Sequence, residues 1–340
     1  MKKFLLPVLV AAVSPLMANA QAENPALTFI NNTSNTATTE DRLDVPASVI
    51  DVTTQSQLSV QSITIGCWAR MTSRASEGNV IFVYGGLNHN NGNGLIVLKT
   101  NSAGQIIIGG FGIRERLGFG ADQSTGVTLP LNEWHYLAVA VDFENYEVRL
   151  CLDDAIAKTL TFDSSKEFGS FDDSPFGFGF GQLCYNGAID DIHIVKRAIT
   201  DSDLKNLYED KANNVSDLKA WYTLDEVRQG SSGHFANMMA PTDNTQDAVY
   251  YRVTGQAPGW AGGIIDNTRT ESTPNMSTID ATTERKKSGS AAIDDIVVDG
   301  EDGPAEYFNL QGVKVSADNL VPGIYILRQG SKTSKVLIRN

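Results

Sequence analysis

Cysteine is scarce: Cys67, Cys151 and Cys184 are the only three in 340 residues. An odd set, with no Cys or His partner at ligand spacing, excludes a disulfide framework and speaks against zinc. Cys67 and Cys151 fall in apolar runs and read as buried small hydrophobes, with one bridge plus a free thiol as the alternative. Basic charge is short as well, 27 Lys and Arg against 40 Asp and Glu, for a net charge of −13. Such a surface repels phosphate backbones and anionic lipid, so nucleic acid is not an expected partner. No later apolar run approaches the roughly 18 residues of a membrane helix, so no transmembrane segment is expected. Three catalytic strings are also missing: Glu-x-Asp-x-x-Glu, Gly-x-Ser-x-Gly and His-Glu-x-x-His. Their absence counts against the common hydrolase mechanisms and predicts a protein that is not an enzyme.

What is present begins with an export signal. Lys2 and Lys3 precede an apolar stretch from Phe4 to Val13 and a small-x-small site at Ala18-Asn19-Ala20. Residues 1–20 therefore read as a signal peptide and the mature chain as starting at Gln21, secreted or displayed at the cell surface. Without Lys2 and Lys3 the charge falls to −15, from 25 basic and 40 acidic side chains.

From residue 21 to 212 short apolar runs alternate with turn residues. Ser62–Arg70, Asn79–Tyr84, Gly94–Lys99, Gln105–Ile108, Trp134–Asp142, Glu147–Leu152, Ile156–Phe162, Phe176–Leu183 and Ala188–Val195 are rich in β-branched and aromatic residues. Many short strands at regular spacing predict an all-β, two-sheet antiparallel sandwich. Leu137, Val139 and Val141 share one face, as do Val148, Leu150 and Leu152, and four residues separate the two runs, which predicts a hairpin. Thr200 and Asp203 form a capping box ahead of Leu204, Leu207 and Tyr208, so a short helix is expected there. Residues 213–265 read as a smaller β-rich extension packed on the sandwich, 266–304 as a disordered linker and 305–340 as a compact β tail.

The chemistry-bearing candidates are few. The amide-rich loop Gly85–Gly94 offers Asn88, His89, Asn90 and Asn93 to sugar hydroxyls; Arg114, Arg116, Tyr185 and Asn186 complete the expected loop surface. Glycines at 109–112 and 177–181 read as turn or bulge residues with no helix following. His135 and His193 read as strand-face residues, and Trp68 and Trp134 as core. Asp190 shares strand parity with Ile192 and Ile194 and is expected to face inward, where a carboxylate needs a partner: Ca²⁺, backbone amides or an arginine.

In this order SITIGCWAR (62–70), NEWHYLAVAVD (132–142), EVRLCLDD (147–154) and NGAIDDIHIVKRAITDSDLKNLYE (186–209) resemble the concanavalin A-like, laminin-G-type jelly-roll domain of bacterial surface proteins. The resemblance implies a jelly roll that binds glycans or extracellular proteins, and a structural Ca²⁺ held near Asp190 and the end of the first strand at Asn31. The tail from Glu306 to Arg339 resembles C-terminal segments of proteins secreted by Bacteroides- and Prevotella-like bacteria, which implies a type IX-like secretion machinery as partner. The expected function is a secreted, non-catalytic binding module for carbohydrate or host protein. An atypical glycoside hydrolase on the same fold, or a purely structural or adhesive surface component, are the alternatives.

Overall fold

The computed structural model describes residues 26–29, 39–50, 60–74, 78–85, 94–169, 176–179, 185–254, 270–271 and 285, and in the C-terminal part 306–309, 313–316, 320–321, 323–329 and 332–338. The signal peptide read at 1–20 lies outside them. The chain divides into two compact units, Met1–Lys287 and Ser288–Asn340.

The first unit is a sandwich of two antiparallel sheets. One sheet runs, in spatial order, β1 (Leu27–Phe29), β12 (Gly187–Val195), β3 (Ile63–Met71), β8 (His135–Asp142), β9 (Glu147–Leu152) and β10 (Ala155–Thr161). β13 (Leu218–Tyr222) joins the edge of β12 beyond β1. The other runs β14 (His234–Phe235), β15 (Ala248–Thr254), β2 (Thr39–Val45), β11 (Phe176–Phe178), β4 (Asn79–Tyr84), β5 (Ile96–Thr100), β6 (Gln105–Gly109) and β7 (Gln123–Thr128), with β16 (Thr270–Glu271) also beside β15. Residues 213–254 thus supply β13 to the first sheet and both β14 and β15 to the other.

Alternation decides which face of each strand is buried. In the hairpin of β8 and β9, Leu137, Val139 and Val141 stand opposite Leu152, Leu150 and Val148, and this row faces the core between the sheets. The turn is held by the Asp142 carboxylate, which accepts from the backbone N–H groups of Glu144 and Asn145 at 2.9 and 3.0 Å. Burying such a row removes apolar area worth about 25 cal/mol per Å² from water. Of the strands at the sheet edges, β7 is polar, with every second residue exposed, which blunts further strand pairing; β10 is also largely exposed and carries Lys158 at its centre.

The opposite face of the first sheet carries a second core. Trp68, Tyr136, Ala138, Ala140 and Cys151 pack there under α1 (Asp201–Tyr208), through Leu204 and Leu207. The capping box forms as the sequence predicts: Asp203 N–H donates to the Thr200 hydroxyl, and the Thr200 N–H donates to the Asp203 carboxylate. Cys67 and Cys151 are buried and free.

The second unit is a four-stranded antiparallel sheet in the order β18 (Lys314–Val315), β17 (Glu306–Phe308), β19 (Gly323–Gln329) and β20 (Lys332–Ile338).

Candidate functional site

Where β1, β12 and β3 run side by side, Thr28, Ala188 and Arg70 are direct cross-strand neighbours. Their neighbours Leu27, Phe29, Ile189 and Ala69 fill the core between the sheets, so this row lies on the opposite face. The strand ends add Thr72, Ser73 and Asn186, and together these residues line a cleft of about 310 Å³. The Thr72 N–H donates to the Asn186 carbonyl at 2.9 Å, and Arg70 Nε donates to the Asn132 carbonyl at 3.2 Å, which fixes the rim. Gly187 is required at the floor: a Cβ there would stand 2.1 Å from the Arg70 carbonyl oxygen. The lining offers hydroxyls, a carboxamide and a guanidinium over an apolar base, and among the described residues includes no carboxylate.

Of the residues expected to bind ligand, the structure brings Asn186 to this cleft. Asn88, His89, Asn90, Asn93 and Asn31 lie outside the described residues. Tyr185 is a core side chain, fully buried, with its hydroxyl donating to the Ala188 carbonyl at 3.0 Å and its ring edge-on to Phe29 at 6.1 Å. Arg114 and Arg116 sit in a single π-helical turn, Gly112–Arg116, which follows the 109–112 glycines where no helix was expected. Arg114 Nη1 is 2.8 Å from Asp122 Oδ1, and Arg116 lies over the Phe111 ring at 5.2 Å. Burial alone would raise the Asp122 carboxyl, but hydrogen bonds and charge from Lys99 and Arg114 hold it below its usual range. The turn belongs to the other end of the sandwich. Gly169 approaches Arg116, and its neighbour Phe168 lines a small cavity together with Ile63, the first residue of β3, whereas the cleft lies at the last residues of β3 and beyond. The expected single loop surface is therefore divided between two ends. Thr28, Arg70, Thr72 and Ser73 carry no signal in the sequence, because their row exists only once β1 and β3 flank β12.

Two residues further along the same face lies a buried acidic group. Asp190 is opposite Trp68, which packs in the second core, so it faces away from Ile192 and Ile194, contrary to its simple parity. The cause is a bulge: the register shifts between Asp190 and His193, and Asp191 takes φ 41°. Asp190, Asp191 and His193 are all buried. The partner of Asp190 is an arginine: Arg285 Nε lies 2.8 Å from Asp190 Oδ2, and its Nη2 contacts Asp191 Oδ2 and, at 2.8 Å, Asp210 Oδ1. Burial would lower the pKa of this guanidinium, but Asp190, Asp210 and Asp191 outweigh it and raise the value above the ordinary one. Asp190 is thus engaged by a cation already, and among the described residues no group of three or more His, Cys, Asp or Glu side chains is arranged to hold a metal ion.

His135 also has a partner that the sequence did not place, since its Nδ1 is 3.0 Å from Asp153 Oδ2 across the hairpin.

A two-sheet antiparallel sandwich with a polar cleft on one sheet is the class that these observations define. Residues 45–205 match the family model of the concanavalin A-like lectin/glucanases superfamily, in keeping with the motifs at 62–70, 132–154 and 186–209. No protein of curated function matches the chain. Similar solved structures include a candidate carbohydrate-binding protein from Bacteroides ovatus, 15% identical over 69% of this chain and 61% of that one, with a TM-score of 0.48. The present chain therefore spans less than two thirds of that protein's length. A heptameric SAP-like pentraxin from Limulus polyphemus is 11% identical over 57% of this chain and 84% of its own, with a TM-score of 0.37. The CBM40 of a Ruminococcus gnavus IT-sialidase, solved with α2,3 sialyllactose, is 15% identical over 45% and 85%, with a TM-score of 0.36.

Proposed function

We propose that the protein is an exported, non-catalytic carbohydrate-binding module whose cleft at Thr28, Arg70, Thr72, Ser73 and Asn186 takes a short glycan. The cleft itself carries the reading. Its volume of about 310 Å³ falls at the lower end of small-molecule sites, roughly 300–1,000 Å³. Its donors suit sugar hydroxyls: the guanidinium of Arg70 can serve two vicinal oxygens, and the Asn186 carboxamide both donates and accepts. Glycoside hydrolysis by the usual route needs two carboxylates flanking the bond. Among the described residues the cleft lining includes none, which favours the binding reading. The acidic charge of −13 favours neutral sugars over polyanions, and the Lys2 to Ala20 pattern supports export.

A glycan array probed with the full chain tests this. Selective binding is expected, reduced about tenfold or more by Arg70→Ala or Asn186→Ala, given about 1.5–3 kcal/mol for a hydrogen bond to a charged group. A blank array, or binding indifferent to both substitutions, would overturn the assignment.

A further inference from the structure

We propose that the recess framed by Asp190, Asp191, Asp210 and Trp68 is an arginine-binding site, a receptor for a guanidinium group that Arg285 of the same chain fills as a built-in ligand. The recess is made by elements distant from its occupant. Asp190 and Asp191 sit on the bulge of β12, a central strand, 95 and 94 residues from Arg285. Trp68 belongs to β3, and Asp210 follows α1 in a left-handed conformation, φ 58°.

Asp191 and Trp68 are held in place by groups other than the arginine. Trp221 Nε1, from β13, donates to Asp191 Oδ1 at 2.7 Å. The Trp68 ring is stacked on Tyr208 at 5.2 Å and 28°. One carboxylate wall and the aromatic floor of the recess are therefore set without the arginine, and one planar cation fits against them.

The geometry selects guanidinium over ammonium. Nε faces Asp190, Nη2 faces Asp191 and Asp210, and Cζ lies over the Trp68 ring, 4.5 Å from its centroid. A guanidinium donates in its plane and stacks through its face at the same time, whereas an ammonium is a compact point charge that cannot do both. Charge makes occupancy obligatory. Asp190 and Asp191 are 0% and 2% exposed, and without a cation they would be buried like charges, which burial strongly disfavours. One side chain thus latches the backbone at residue 285 onto the sandwich, and the latch can be opened by removing one residue.

The test uses the full chain with Arg285→Ala and small soluble cations. Methylguanidinium is expected to raise the melting temperature of the variant in a saturable way and to bind about tenfold tighter than methylammonium, as bidentate donation predicts. The wild type, already occupied, is expected not to respond. Equal effects of the two cations, or an equal response of the wild type, would overturn the site. A second measurement needs no substitution in the socket. Limited trypsin digestion of the wild type, read by mass spectrometry, should cut after Lys286 or Lys287 well before Arg285, whose side chain is held in the recess and cannot enter the protease. Asp210→Asn should bring forward the cut after Arg285. Early cleavage at Arg285 in the wild type would equally overturn the proposal.

Discussion

Asp153 illustrates how much one side chain can do at a turn. It stands at φ 55°, a backbone that Asn and Asp tolerate better than other residues. Its Oδ1 accepts from the Tyr136 N–H at 3.1 Å, and its Oδ2 lies 3.0 Å from His135 Nδ1. The hydrogen bond with Asp153 raises the His135 pKa above its ordinary value, against the opposing effect of burial. A group whose pKa is raised on folding adds stability below its unfolded pKa, near 6.5, and loses it as pH rises through the folded value. Asp153→Asn keeps the turn and the acceptor for Tyr136 but removes the charge. It should therefore cost about 0.5 kcal/mol at pH 5.5, typical of a partly exposed pair, and almost nothing at pH 8.5. Urea unfolding at the two pH values checks this; a pH-independent loss would rule out the ion pair as the cause. The sequence offered no hint of the pair, because the contact is made across a hairpin. The cysteines were easier to read. Cys67 faces the core between the sheets and Cys151 the second core, so the strand alternation that buries both also keeps them from bridging. Burial pushes the Cys151 thiol up to about 12 and that of Cys67 higher still.

Local signals were legible wherever an element is closed by its own neighbours. The hairpin of β8 and β9 follows from two alternating runs and a four-residue gap, and α1 follows from Thr200 and Asp203. In that cap, burial would raise Asp203, but hydrogen bonds from Arg197 and Thr200 outweigh it and bring the pKa to about 2. Thr200→Ala removes the acceptor for the Asp203 N–H and should cost about 1 kcal/mol, the usual worth of an N-cap. Chemical denaturation measures it directly, and a cost below a few tenths would show that packing of Leu204 and Leu207 alone sets the helix. The sign with pH is opposite to that of His135: a depressed carboxyl contributes above its unfolded pKa, near 3.8, and the contribution fades as pH falls towards 2. Elements that depend on an irregularity were not legible. The bulge at Asp190–His193 adds one residue to an alternating run, so simple parity sends Asp190 to the wrong face. The π-helical turn at Gly112–Arg116 hides in a glycine-rich stretch for the same reason. The candidate cleft is illegible at this scale altogether, since Thr28 on β1, Arg70 on β3 and Asn186 just before β12 are brought together only by the adjacency of those strands, which is a matter of topology.

At the scale of the whole molecule, the strands that follow α1 decide whether the sandwich is closed. β13 lies along β12 and β15 along β2, and they carry Ala220, Tyr222, Ala248 and Tyr250 into the core between the sheets. The crossing between them is tied by Asn237, buried, which accepts from the Trp221 N–H at 3.1 Å and donates to the Lys219 carbonyl and Gln246 Oε1 at 3.0 and 2.9 Å. Arg228 and Asp247 add a two-pronged ion pair at 2.5 and 2.6 Å. A fragment ending at residue 212 would lose these strands, leave two sheet edges open and uncover the core. A large buried aromatic alone is worth roughly 3–5 kcal/mol, and whole domains keep only about 5–15 kcal/mol. Residues 21–212 should therefore lack a cooperative melt and near-ultraviolet circular dichroism, whereas residues 21–287, which keep β13, β15 and Arg285, should unfold in one transition. A cooperative transition from the shorter fragment would mean that the jelly roll closes without β13 and β15, and that the later strands are ornament on a finished fold.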